Sequence, residues 1–194
     1  GSAGGLIPAN GRISGRATTA DVTGVYAGGI LGYWRTAATI QNCYNTGSIT
    51  GSDKAGGIVG QLSSGTIENC YSTGAVGGAA SQKGGIFAFS NATVKNCYYT
   101  LPETEVLGGK AAAATQITSP EGLADKLGHA FKEDTAGANN GYPILVWQAG
   151  EVVQPDPRIE LSGPDTLWRT TNDAQPQTTI TAACKDMDED MHVD

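Results

Sequence analysis

Apolar residues up to Tyr99 come in short groups that return at fixed offsets. Ile30-Leu31, Ile40, Cys43 and Ile49 are answered by Ile58-Val59, Ile67, Cys70 and Val76, and then by Ile86-Phe87, Val94 and Cys97. Gly, Asn, Ser and Thr fill the intervals. Asn-Cys-Tyr occurs at Asn42-Cys43-Tyr44, Asn69-Cys70-Tyr71 and Asn96-Cys97-Tyr98, an interval of 27 residues each time. Gly-Gly-Ile recurs with it at 28–30, 56–58 and 84–86. A fixed period of this size is the mark of a repeat array. The repeated pieces are brief, rich in β-branched residues and punctuated by turn residues, so each turn holds three short strands. The pattern predicts an all-β fold: a parallel β-helix (β-solenoid) of about three to four turns, each strand pairing with its counterpart one turn away.

Side-chain parity refines this. Ile40 and Cys43 are three apart, which on a straight strand puts them on opposite faces. Both positions are apolar in every copy, so both face inward only if the chain bends between them. Asn42, Asn69 and Asn96 stand at that bend, and Asn tolerates the left-handed backbone a corner needs. Stacked asparagines can hydrogen-bond along the axis as a ladder. Cys43, Cys70 and Cys97 then fill the core, and Tyr44, Tyr71 and Tyr98 form an outward row. Ile7 to Gly15 aligns with Cys43 to Gly51 as an earlier partial copy, with Ile7 in the cysteine position, which leaves the stretch up to Gly28 as a long loop.

From Leu101 the period fails. Ser119-Pro120-Glu121 offers an N-cap, a first-turn proline and an early acid. Leu123, Ala124, Leu127, Ala130 and Phe131 follow at helical spacing. A helix over about 119–132 and a strand within Gly141–Trp147 are expected to close the open end of the solenoid, whose edge would otherwise invite association. Residues 1–150 thus form one domain and 151–157 a linker. The remainder, 158–194, holds strand-like pieces but is too short for a complete sandwich, and is expected to be the start of one.

Composition narrows the function classes. Gly is the commonest residue at 28 of 194, charged residues are 16%, and the net charge is −7. An acidic chain with no basic cluster is a poor partner for nucleic acid or an anionic membrane surface. No apolar run is long enough to span a bilayer as a helix. Gly1-Ser2 reads as a cloning remnant and the chain as a piece of a longer one, so the lack of a leader pattern says nothing about the parent.

Gly29-Ile30-Leu31-Gly32 and Gly57-Ile58-Val59-Gly60, with the Asn-Cys-Tyr and Thr-Gly elements around them, resemble the GLUG motif of bacterial surface and secreted proteins. The resemblance covers about residues 1–150, and Gly141-Tyr142-Pro143-Ile144-Leu145 is similar to the segment that often closes such arrays. The third copy departs from the pattern, with Ala88 in place of the second glycine. Residues 158–194 resemble the start of a bacterial immunoglobulin-like domain. The resemblance implies a β-helical scaffold without catalytic residues in the motif, located outside the cell or at its surface, as in adhesin-like chains and some immunoglobulin A peptidases.

Candidate chemistry is sparse. Glycoside hydrolysis needs two carboxylates at a set separation, and Asp21, Asp53, Glu68, Glu103 and Glu105 form no repeated cluster. His129 and His192 make no metal-ligand spacing with the cysteines, and no cofactor or metal is expected. The cysteines lack a nearby His or Lys to make a thiolate. They are read as buried free thiols, with a disulfide between neighbouring turns as the alternative. Asp186, Asp188 and Asp190 alternate like the opening of a calcium loop but lack its glycine. Binding candidates are the tyrosine row (Tyr44, Tyr71, Tyr98) and Tyr33-Trp34, which is not repeated and falls where an insertion would mark a binding face. The expected function is a non-catalytic scaffold and adhesion module, monomeric, that presents neighbouring domains of its chain and contacts a host protein or glycan. The alternatives are an accessory region of a secreted peptidase and a carbohydrate-active β-helix.

Overall fold

The computed structural model describes residues 11–106 and 114–149, together with the backbone of 159–162, 181–184 and 192–193. The chain divides into two compact units, 1–151 and 152–194. The first is a mostly β, parallel solenoid of about three turns. Its strands are β1 (Arg12–Ser14), β2 (Ala17–Thr18), β3 (Val22–Gly28), β4 (Leu31–Asn45), β5 (Ile49–Gly56), β6 (Val59–Ser72), β7 (Val76–Gly77), β8 (Gln82–Gly84), β9 (Phe87–Ser90), β10 (Thr93–Tyr99) and β11 (Ala114–Gln116). One sheet runs β1-β4-β6-β10-β11, with β2 on β4 and β9 on β6. The other runs β3-β5-β7, with β8 on β5.

The register is the 27-residue repeat made physical. Ile40 lies opposite Ile67, Cys43 opposite Cys70 and Tyr44 opposite Tyr71, and the same columns continue to Val94, Cys97 and Tyr98. Ile40, Cys43, Ile49, Ile58, Ile67 and Cys70 are buried in one continuous core with Leu31, Val59, Ile86 and Phe87. Full burial of a Leu- or Ile-sized side chain contributes about 1.5–3 kcal/mol, and the stacking supplies one such residue per column per turn.

The bend between Ile40 and Cys43 lies at Asn42, whose φ is 53°. Asn69 and Asn96 repeat it at 49° and 46°. Asn69 Nδ2 donates to Asn42 Oδ1 at 3.3 Å, and Asn96 Nδ2 donates to Asn69 Oδ1 at 3.2 Å.

The first turn differs from the alignment expected for it. Ile13 pairs with Ile40, Ala17 with Tyr44 and Val22 with Ile49. The offset is therefore the same 27 residues as in the Ile40 and Cys43 columns, and the similarity of Ile13-Ser14-Gly15 to Ile49-Thr50-Gly51 is a coincidence of turn residues. Arg16, not Ile7, falls in the cysteine column. Gly15, with φ 64°, occupies the asparagine corner. Residues 16–28 are no loop insertion but the strands β2 and β3 of a regular turn. Ile7 lies outside the described residues.

After the third turn the chain adds β11 beside β10 and then runs over the outside of the solenoid. The helix α1 covers only Leu123–Leu127, shorter than the expected 119–132. Gly128, with φ 88°, ends it, a stop in the left-handed region that only glycine takes freely. Its N-cap is Gly122, with no side-chain cap bond. Ser119 Oγ instead accepts from the Glu121 N–H at 3.3 Å. Phe131, expected on the helix, begins β12 (Phe131–Lys132), which pairs antiparallel with β13 (Ile144–Leu145). A 3-10 turn, Val146–Ala149, follows.

In the second unit, β14 (Ile159–Ser162), β15 (Thr181–Cys184) and β16 (His192–Val193) form an antiparallel sheet in the order β14-β15-β16. The rest of the expected immunoglobulin-like segment, 158–194, and the linker at 151–157 lie outside the described residues.

Candidate functional site

The expected tyrosine platform is not exposed. Tyr44 and Tyr71 project outward from the solenoid wall, yet they are 1% and 0% exposed. Leu123 and Leu127 of α1, Phe131 and Leu145 bury them in a second core, with Tyr98 and Tyr142 packed at its margin. Tyr44 and Tyr71 stack with ring centres 5.0 Å apart and planes 7° from parallel. The Tyr71 hydroxyl donates to the Pro143 carbonyl and accepts from Asn139 Nδ2 at 2.7 Å. Tyr44 shares a hydrogen bond with the Gln148 side-chain amide, which also accepts from the Leu145 N–H at 2.9 Å. Burial pushes both phenols up from their usual range, Tyr71 the further. The row is thus the seat of the C-terminal segment of the unit. The outward direction of each tyrosine was legible; that the chain itself covers the row was not. Leu123, Leu127 and Phe131, expected over the open end, lie against the flank instead.

Cys43, Cys70 and Cys97 are free, buried thiols in one column. Each donates to the carbonyl two residues before it, at 3.0, 3.1 and 3.2 Å. Burial drives the Cys70 thiol well up, which keeps it protonated and poorly nucleophilic. Among the described residues no three His, Cys, Asp or Glu side chains gather as metal ligands, and no helix is long and apolar enough to cross a membrane.

Tyr33 and Trp34 separate, as neighbours on a strand must. Trp34 packs on the main core, and its indole N–H is buried with no hydrogen-bond partner. It is a wall residue and not the exposed anchor expected of it. Tyr33 faces the other way and joins a surface group that the repeat pattern did not reveal. Tyr26, across the Gly28-Gly29 corner, stacks on Tyr33 with ring centres 4.9 Å apart. The Arg35 Nε donates to the Tyr33 hydroxyl at 2.9 Å, with its guanidinium carbon 5.7 Å from the ring centre. Lys54 Nζ lies 5.1 Å from the Tyr26 ring centre and 5.9 Å from that of Phe89, and is ion-paired with Asp53 at 3.3 Å. Phe89 is 40% exposed. One signal could have found this group. The strand β4 carries an extra residue between Trp34 and Ala37 relative to β6, and β5 carries one between Gly51 and Lys54 relative to β3, so Tyr33 to Arg35 and the Tyr26–Lys54 pair sit where the spacing changes between 27 and 28 residues.

Residues 54–77 match the GLUG motif. They contain the middle Gly-Gly-Ile, Asn-Cys-Tyr and Thr-Gly elements, most of one turn. No curated protein sequence matches the chain significantly. Among solved structures, the chain is similar to a crystal structure from Bacteroides ovatus described as a "putative immunoglobulin A1 protease", with 25% identity and a TM-score of 0.55. The match covers 75% of this chain and 60% of that one. The GLUG-type β-helix thus resembles part of a chain of that description, and the match spans less than two thirds of that chain's length.

Proposed function

We propose that the chain is a non-catalytic scaffold and adhesion module of a large bacterial protein that works outside the cell. The observation that carries this reading is the division of the solenoid's outer surface. The tyrosine column is covered by Leu123, Leu127, Phe131 and Leu145 of the same unit. The wall around Tyr26, Tyr33, Arg35 and Phe89, by contrast, presents aromatic rings and a cation that no repeat rule requires. A stack held in register by main-chain hydrogen bonds and core columns is a stiff spacer, suited to presenting such a surface and neighbouring domains. The GLUG match and the solved relative support a bacterial surface or secreted setting.

The same relative favours a second reading, an accessory region that positions substrate or the catalytic domain of a secreted peptidase. Deleting residues 11–149 from the parent protein separates the two. Under the first reading cell-surface or mucin attachment falls while hydrolysis of immunoglobulin A1 by the rest of the parent is unchanged. A fall in that hydrolysis with attachment intact would favour the second. Release of reducing ends from any polysaccharide by the isolated chain would displace both in favour of a carbohydrate-active enzyme.

A further inference from the structure

The surface around Tyr33 has a regular construction along the solenoid axis. Tyr33 lies opposite Gln61, and Gln61 opposite Phe89. One column therefore reads aromatic, amide, aromatic, with the two rings two inter-strand spacings, or about 10 Å, apart. Beside it, in the other sheet, Tyr26 lies opposite Lys54, and the Tyr26 ring stacks on Tyr33 to widen the upper platform. Lys54 bridges the rings of Tyr26 and Phe89 while its charge is answered by Asp53. Arg35 is exposed, is pinned to the Tyr33 hydroxyl, and has no carboxylate partner among the described residues.

We propose that this wall binds a carboxylate-bearing saccharide chain, laid along the solenoid axis across Tyr33, Gln61 and Phe89 with a uronate-type carboxylate on Arg35. This rests on the adhesive half of the proposed function and names its ligand class. The chemistry is complementary at each position. The C–H face of a pyranose stacks on an aromatic ring, and the ring's negative face favours those polarised hydrogens. The Gln61 amide between the rings offers both a donor and an acceptor to hydroxyls. A planar guanidinium matches a carboxylate with two parallel hydrogen bonds. An apolar peptide or helix would require a continuous greasy groove, whereas here polar rungs separate the rings.

Titration calorimetry of the full chain with hexagalacturonate, cellohexaose and a poly-glutamate peptide tests the assignment. Hexagalacturonate should bind, cellohexaose more weakly, and poly-glutamate not at all. Tyr33→Ala and Phe89→Ala should each weaken hexagalacturonate binding about tenfold, the upper range of a stacked aromatic contact. Phe89→Leu, which keeps apolar volume without the ring, should do the same while preserving the fold. Arg35→Gln should weaken it about fivefold and erase the preference over cellohexaose. Lack of hexagalacturonate binding, equal binding of cellohexaose, binding of poly-glutamate, or indifference to the ring variants would each overturn the proposal. If hexagalacturonate fails while the module still attaches to cells, the saccharide assignment falls and the adhesion reading stands.

Discussion

One asparagine per turn carries both the corner and a link to the next turn. At a φ near 50° an ordinary L-residue costs about 1–2 kcal/mol, and Asn42, Asn69 and Asn96 sit there while their amides join along the axis. Gly15 takes the same corner in the first turn with backbone freedom alone. Trp34 shows the opposite situation, a side chain whose polar atom has no role. Its indole N–H is buried and unpaired, and such an atom costs about 1–3 kcal/mol, while its rings pack on the core. Trp34→Phe should therefore leave the unfolding free energy unchanged or raised, and Trp34→Ala should lower it by about 2 kcal/mol through lost packing. Denaturant titration of both variants checks this; a larger loss for Phe than for Ala would refute it. Parity and residue type sufficed to place the asparagines and cysteines. Trp34 escaped that reading because its residue type is not repeated, although its counterpart one turn on, Leu62, is apolar and buried and marks the position as inward-facing.

At the scale of elements, the Gly-Gly-Ile repeats are places where the chain leaves no room. The doublets 28–29, 56–57 and 84–85 are absent from the positive-φ residues, so they are not there to supply a left-handed turn. A Cβ built on Gly57 would lie 2.1 Å from the Gly85 carbonyl oxygen and 2.4 Å from Ser72 Oγ, and one on Gly56 would lie 1.9 Å from the Val59 carbonyl oxygen. The glycines let one sheet cross to the next while the turn above presses on the same point. The repeat made them conspicuous as punctuation, but inter-turn crowding is a property of the stack and no single copy displays it. Gly57→Ala should shift several backbones at once and destabilise the solenoid by about 3 kcal/mol or more. A melting temperature within a degree or two of the parent's would show that the stack can give way at that point.

The C-terminal segment of the first unit covers the tyrosine column, and one carboxylate organises its docking. Asp134 Oδ1 accepts from the Ala138 N–H at 2.9 Å, and Oδ2 accepts from the N–H groups of Asn139 at 2.6 Å and Gly141 at 3.1 Å. This fixes Asn139, whose amide reaches the buried Tyr71 hydroxyl and the Tyr142 and Pro143 carbonyls. Residues 134–141 thereby key the segment onto the tyrosine column. Burial by itself would raise the Asp134 carboxyl, but the backbone N–H groups of Asn139, Gly141, Ala138 and Gly137 outweigh it and hold it below the usual carboxylate range. A group whose folded pKa is depressed stabilises the fold above its unfolded value, about 4, and loses that contribution as pH falls through the folded value. The docking should therefore be constant from neutral pH down to about 4 and weaken in more acid solution. Hydrogen exchange at the Ala138, Asn139 and Gly141 amides should accelerate over that range, relative to the intrinsic rates, before the core columns at Ile40 and Ile67 respond. In Asp134→Asn the same amides should be less protected at neutral pH and lose the acid dependence, because a neutral amide oxygen accepts fewer and weaker bonds than a carboxylate. An unchanged acid limb in that variant would assign the pH sensitivity to another carboxylate and leave Asp134 as a turn residue without a docking role.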